Sequence, residues 1–277
     1  DEAAAVNPAL CPMSGAQGAA KTYYSLAEAL KVTPVLLPDG SLYTYDRLIV
    51  DTTGCMYSPE IWPYCSTVVA FLSNAVRGDV AAAQQVADAR AAMLRRLQSV
   101  GAARAYNNSF DASYAVQCAD TDYRRPFAVY AALDGWTLKG SIFGPNWWWG
   151  STPCAKWPLA EDRYAGPWTA RTSAPVLIVG NYFDPATDYE GAVASDKFLK
   201  SSRLLSYAGW GHCAFERSEC VRNYVISYLL DGSLPPAGTV CPANPSPFLP
   251  AMSPTSSGED GGLKSRSLTI GLPPLWL

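Results

Sequence analysis

A chain of 277 residues, 49% of them apolar, has enough material for a hydrophobic core, and its length suits one or two domains. A formal net charge of -3 gives electrostatics no reason to draw in nucleic acid. No apolar stretch approaches the ~20 residues that a membrane span needs. Eight cysteines, at positions 11, 55, 65, 118, 154, 213, 220 and 241, show no Cys-x-x-Cys spacing. With one histidine in the chain they make a poor zinc site, and no cofactor is expected. The even, scattered count fits an oxidising compartment, hence secretion, better than the buried reduced thiols of a cytosolic protein. Asp1 is followed by no basic-then-apolar signal pattern, so the chain is expected either to begin after processing or to be a piece of something longer.

Thr22 to Leu30 reads as a short helix, followed by a Pro-bounded extended segment, and Leu42 to Val50 is mixed. A clear helix comes next. Ser58 can cap it, Pro59 fits its first turn, and Ile61, Cys65, Val68, Val69, Leu72 and Val76 make one apolar stripe. Gly78 ends that helix and Asp79 caps another, Val80 to Val100, whose Val86, Met93, Leu94, Leu97 and Val100 share a face. Both stripes read as core and carry no chemistry. From Asn107 to Trp168 the chain is irregular and aromatic. Tyr114 to Asp120 suggests a short strand, and Trp147, Trp148 and Trp149 sit on a Gly/Pro loop where they either line an apolar cleft or fill a gap between helices. Ser218 to Leu230 gives a final helix with Val221, Val225, Tyr228 and Leu229 inside, closed by Gly232. Beyond Cys241 the Pro, Ser and Gly content points to a disordered tail. Its end, Leu268 to Leu277, only loosely copies a lipid-anchor signal, being short and carrying two prolines.

Two segments carry the chemistry. Pro175 to Val179 is uncharged and largely β-branched, the mark of a parallel strand covered on both faces, and Asp184 stands just past its carboxyl end. Arg203 to Tyr207 reads as a second strand, leading through Gly209 and Gly211 to His212. An acid and a histidine on loops after consecutive strands is how α/β-hydrolases carry two members of a Ser-Asp-His triad. A core histidine and a turn-forming Asp before Pro185 are the plainer alternatives. The third member is missing, because no Gly-x-Ser-x-Gly string occurs. Gly54-Cys55, Gly140-Ser141 and Gly150-Ser151 lack the second glycine, and Ser41 follows an Asp39-Gly40 turn.

Several strings resemble one family in the same order: Tyr57-Ser-Pro-Glu-Ile-Trp62-Pro63, Arg77-Gly78-Asp79, Cys118-Ala-Asp120 and Cys154-Ala-Lys-Trp157-Pro158. Ala174-Pro-Val-Leu-Ile-Val-Gly with Asp184, Gly209-Trp-Gly-His212, Ser218-Glu-Cys220 and the run from Tyr228 to Cys241 continue the series. Residues 8–241 are similar to the C-terminal part of the secreted tripeptidyl-aminopeptidase-like serine hydrolases, α/β-hydrolases related to prolyl aminopeptidases. The resemblance implies a partial α/β-hydrolase fold: a helical cap or lid over 1–170, the last parallel strands and helices of the core over 171–241, and a tail over 242–277. The N-terminal half of the sheet, which bears the nucleophile elbow and oxyanion hole in that family, would be missing, leaving backbone open at a sheet edge.

By the same resemblance Asp184 is the triad acid and His212 the base. Substrates are short peptides with a free N-terminus, although ester hydrolases also occur in the family. Acidic cap residues hold the substrate's ammonium group there, which makes Asp120, Asp122, Glu161 and Asp162 candidates; Trp147 and Trp148 remain cleft candidates on the residue reading above. The same picture implies the disulfides Cys220–Cys241 and Cys118–Cys154, with Cys55–Cys65 as a third pair and Cys11 and Cys213 unassigned. Without a nucleophile the chain alone is expected to be inactive and to need its missing half as a partner. The rival reading is a non-catalytic binding protein that keeps the cap's aromatic cleft.

Overall fold

The computed structural model describes residues 9, 11–15, 17–100, 108–122, 125–137, 139, 141–158, 160–169 and 172–248, with the side chains of 96–100 excepted. The chain divides into two compact units, one drawn from Asp1–Val50, Glu60–Ser113 and Ser246–Leu277, the other from Asp51–Pro59 and Tyr114–Pro245.

The first unit is helical. Helix α1 spans Ala19–Val32, and the strands β1, Val35–Leu36, and β2, Leu42–Tyr43, pair antiparallel around a turn. Ser41 donates from both its N–H and its hydroxyl to the Asp39 carboxylate there, so the turn reading of Asp39-Gly40 holds. Helix α2, Tyr45–Tyr57, takes up the mixed stretch and carries its last residues into the second unit. Ser58 does not cap the following helix. Pro59–Ile61 is a 3₁₀ turn, and helix α3 runs Trp62–Ala75 with Pro63 in its first turn. Asp79 does cap helix α4, Val80–Val100, its carboxylate accepting from the N–H groups of Ala81 and Ala82. α3 packs along α4 and against α1. Val68, Val69, Leu72, Val86 and Met93 are buried as the stripes require, while Leu97 and Val100 fall among the side chains not described.

Helix α5, Ser109–Asp120, whose residues from Tyr114 on belong to the second unit, replaces the strand expected at Tyr114 to Asp120. Tyr114 and Cys118, one helical turn apart, are buried on one face, whereas Val116 between them is 62% exposed. A disulfide joins Cys118 to Cys154 on the 3₁₀ turn Thr152–Lys156. The tryptophans are helical rather than looped. Helix α7, Gly144–Gly150, packs on helix α6, Phe127–Thr137. Trp148 lies on the buried Tyr130 ring at 4.7 Å and donates to the Tyr130 carbonyl, while Trp149 donates to the Asp134 carboxylate at 2.6 Å.

The sheet has three described strands in the order β3, Val176–Phe183, then β4, Ser202–Trp210, then β5, Val240–Cys241, and both pairings are parallel. Helix α8, Tyr189–Phe198, connects β3 to β4, and helix α9, Glu219–Asp231, connects β4 to β5. The Ser206 hydroxyl meets Tyr189 of α8 at 2.7 Å, while Leu205 and Tyr207 cluster with Val221 of α9. Neighbouring residues of a strand face opposite ways, so α8 and α9 cover opposite faces of β4. β4 is therefore the strand covered twice. β3, expected to be covered on both faces, is the edge of the described sheet, and its Val179, Tyr182 and Phe183 are exposed.

α9 begins on Ser218, whose hydroxyl accepts from the Val221 N–H, and ends on Gly232 in the left-handed conformation. Its Leu229, expected inside, is 71% exposed. The Cys220–Cys241 disulfide fastens α9 to β5. Asn244 donates from its backbone to the Tyr207 hydroxyl and from its amide to the Arg217 carbonyl, which ties down the stretch after β5. The remainder of the expected tail, 249–277, lies outside the described residues. Cys55 and Cys65 are both disulfide-bonded, and Cys11 and Cys213 are free thiols.

Candidate active site

Because β3 and β4 run parallel, their carboxyl ends open at the same rim of the sheet, and each delivers one polar side chain there. After β3 the chain turns sharply at Asp184. Its carboxylate accepts from the N–H of Ala186 at 2.8 Å, the N–H of Thr187 at 3.0 Å and the Thr187 hydroxyl at 3.0 Å. The turn-forming and acid readings of Asp184 are thus compatible: the turn that uses the carboxylate also fixes its direction.

After β4 the backbone passes through Gly211, at φ +91°, to His212. A Cβ on Gly211 would sit 2.7 Å from Pro59 and 2.9 Å from the Tyr57 carbonyl, so close approach as well as backbone conformation calls for glycine. The Gly211 N–H donates to Phe183 O, and the buried Asn181 amide donates to Gly211 O at 2.9 Å. The His212 N–H donates to Tyr57 O at 3.1 Å. The histidine loop is thereby held from β3 on one side and from the end of α2 on the other.

These constraints bring the His212 Nδ1 to 3.0 Å from both carboxylate oxygens of Asp184. The Asp184 side chain is 5% exposed and that of His212 27%, so the acid lies beneath and the ring reaches the surface. With Asp184 ionised and the ring neutral, Nδ1 carries the hydrogen and donates, and it is in this form that Nε2 has its lone pair for a reactant. The imidazole is pushed up to about 10, by the Asp184 hydrogen bond first and the neighbouring Cys213 second, against burial, which acts to lower it. Burial acts to raise the Asp184 carboxyl, but the His212 hydrogen bond and the N–H groups of Thr187 and Ala186 outweigh it and hold the carboxyl below 3.8.

Tyr57 closes one side of the pair. Its ring meets the His212 ring edge to face at 5.3 Å and stacks on Trp147 at 6.5 Å. Of the substrate-binding candidates, Trp147 is exposed beside Tyr57, whereas Trp148 is engaged with Tyr130. Asp120 is exposed at the end of α5, where its carbonyl accepts from Arg163, and Asp122, Glu161 and Asp162 are exposed on loops. Sequence reasoning did not single out Tyr57, Asn181 or Arg217. Tyr57 does open one of the strings carrying the family resemblance, but nothing in that string marks its closeness to His212. Among the described residues no group of three or more His, Cys, Asp or Glu side chains could hold a metal ion.

A parallel sheet flanked by helices, with an acid and a histidine hydrogen-bonded at the ends of adjacent strands, fits a partial α/β-hydrolase fold. Residues 140–241 match the family model described as TAP-like protein. The chain is 29% identical over 256 residues to the serine protease Hip1 of Mycobacterium tuberculosis, an alignment covering 83% of this chain and 45% of the relative. It is 28% identical over 225 residues to carboxylesterase B of the same species, covering 79% and 41%. Over 101 residues it is 32% identical to the tripeptidyl aminopeptidase of Streptomyces lividans, covering 36% and 19%. The chain thus spans less than half the length of the curated relatives it matches.

Proposed function

We propose that this chain is the C-terminal section of a serine hydrolase of the exopeptidase type, which releases short peptides from free N-termini. The observation that carries the reading is the single contact of His212 Nδ1 with both oxygens of a shielded carboxylate at 3.0 Å. In this reading Asp184 fixes the tautomer and orientation of His212 and stabilises its charged form. His212 Nε2 takes the proton from a serine hydroxyl as that oxygen attacks the scissile carbonyl, then returns a proton to the leaving amine. A general base must be neutral when it acts, so His212 takes up the serine proton in its deprotonated form.

The serine and the oxyanion donors come from outside these 277 residues, since no Gly-x-Ser-x-Gly is present. The polypeptide bearing them is the partner this reading requires. In this reading the exposed carboxylates, Asp120 foremost, hold a substrate ammonium, and Trp147, exposed beside Tyr57, offers an apolar wall. The disulfides Cys118–Cys154 and Cys220–Cys241 support a site of action outside the reducing cytoplasm.

A fluorophosphonate probe, which bonds covalently to an activated serine, tests the division of labour. The 277-residue chain alone should remain unlabelled, and mass-spectrometric detection of the adduct on one of its serines would overturn the placement of the nucleophile. A longer polypeptide that contains both this chain and an elbow serine should label and should cleave tripeptidyl anilides only when their N-terminus is free. Cleavage of N-acetylated and free substrates at equal rates would remove the exopeptidase assignment.

A further inference from the structure

We infer that Arg217 is a positioning residue for His212, acting through the backbone of the histidine loop. The inference rests on the acid–histidine reading above and deepens it. Arg217 precedes the Ser218 cap of α9, and its own backbone is anchored twice. Its N–H donates to Ala214 O at 3.0 Å, and its carbonyl accepts from the Asn244 amide at 2.9 Å. From this base the guanidinium reaches under the loop. Nη1 donates to the carbonyls of His212 and Cys213, the latter at 2.9 Å. Nη2 donates to Tyr57 O at 3.1 Å and to the Ser58 hydroxyl at 3.3 Å.

The pattern closes a ring around one residue. Tyr57 O accepts from both the His212 N–H and Arg217 Nη2, while Arg217 Nη1 takes the His212 carbonyl. Both peptide groups flanking the His212 Cα are therefore fixed, one by Tyr57 and the other by Arg217. The next residue, Cys213, has φ +67°, a left-handed conformation rare for a side chain other than glycine and kept only where the surroundings enforce it. The two carbonyls on either side of Cys213 are the ones that Arg217 binds. A planar fork with donors fixed in two directions can hold both sets of acceptors at once, whereas a lysine ammonium is a single point on a flexible stem.

Electrostatics and positioning make opposite demands on His212, so they can be separated. A nearby cation disfavours a charged imidazole, and removing it for that reason alone raises the affinity of His212 for a proton. Loosening the loop instead weakens the Asp184 hydrogen bond that raises this affinity, and so lowers it. The chain holds one histidine, so nuclear magnetic resonance reads its titration and its Nδ1–H signal without ambiguity.

The experiment compares the full chain with R217K and R217Q, using circular dichroism and thermal unfolding to establish that each is folded. R217K keeps the charge and most of the length, so it tests the fork itself even where R217Q is too unstable to study. The expected result in R217K is a midpoint displaced from about 10 toward 6.5, with the downfield Nδ1–H signal lost to exchange with water. A folded R217K with the wild-type midpoint and an intact signal overturns the inference, and so does a midpoint that rises in R217Q. If the wild-type chain shows no downfield Nδ1–H signal and its titration ignores Asp184→Asn, the acid–histidine reading fails, an outcome distinct from unchanged variants.

Discussion

The ring of Tyr57, the last residue of α2, stands edge-on to the imidazole of His212 with centroids 5.3 Å apart and planes at 68°, while its carbonyl receives the His212 N–H. One residue thus holds the histidine through both backbone and side chain. Burial, then the negative charge of Asp184, pushes the Tyr57 phenol up to about 12, so the ring is a neutral cover at any working pH.

Tyr57→Phe keeps that cover and should leave the His212 titration where it is in the native chain. Tyr57→Ala removes an edge-to-face contact and half-buried apolar surface, and denaturant unfolding should show a loss of about 2 kcal/mol, below the range for a fully buried aromatic residue. Equal stability of the two variants would show that the ring contributes nothing to the site.

Gly211→Ala adds one methyl group where Pro59 and the Tyr57 carbonyl already stand within 3.0 Å, at a backbone angle that side chains rarely adopt. The expected cost is on the order of 2 kcal/mol. The His212 Nδ1–H signal should be lost as well, because the neighbouring residue must move. Retention of both stability and signal would show that the loop is more yielding than its contacts imply.

Much of this fold is legible in the sequence because its punctuation is local. Asp79 and Ser218 cap helices, Gly78 and Gly232 end them, and apolar runs ending in Asp184 and His212 mark the two strands of the site. What is not legible depends on partners distant in sequence. Tyr114, Val116 and Cys118 alternate as in a strand, yet the one-turn spacing of Tyr114 and Cys118 decides the outcome, because Cys154 and Trp157 pack on that face. Leu229 looks like a core residue, but the packed face of α9 is set by Val221 and Val225 against β4. Ser58 has the residue type of a helix cap, and its hydroxyl instead meets Arg217, which lies 159 residues later. For the same reason neither Tyr57 nor Arg217 announces itself, since each reaches His212 largely through main-chain atoms.

The thiols give an independent check. A disulfide-exchange reagent should titrate Cys213 in the native chain and reach the buried Cys11 only on denaturation. Replacing Cys220 and Cys241 together by alanine opens a bridge across a sequence separation of 21 residues and should lower unfolding free energy by about 3 kcal/mol. Peptide mapping that found Cys220 free would contradict the bridge between α9 and β5.

Stability should depend on pH through the same pair of side chains. His212 binds its proton more tightly when folded, so its contribution is complete below 6.5 and is lost as pH rises toward about 10. Asp184 is held below 3.8, so its contribution is present above that value and disappears as pH falls through its lowered range. The difference in Tm between the native chain and Asp184→Asn should accordingly be greatest between 3.8 and 6.5 and shrink on both sides. A difference that grows steadily toward alkaline pH would reverse the assigned sign.

The most direct measurement is the titration of the single histidine by nuclear magnetic resonance in the native chain and in Asp184→Asn. An Asp184–His212 pair predicts a midpoint raised above 6.5 with a protected Nδ1–H signal in the native chain, and a lower midpoint with that signal gone in the variant. A native midpoint near 6.5 that ignores the substitution would contradict the pairing of these two residues and, with it, the hydrolase chemistry assigned to this site.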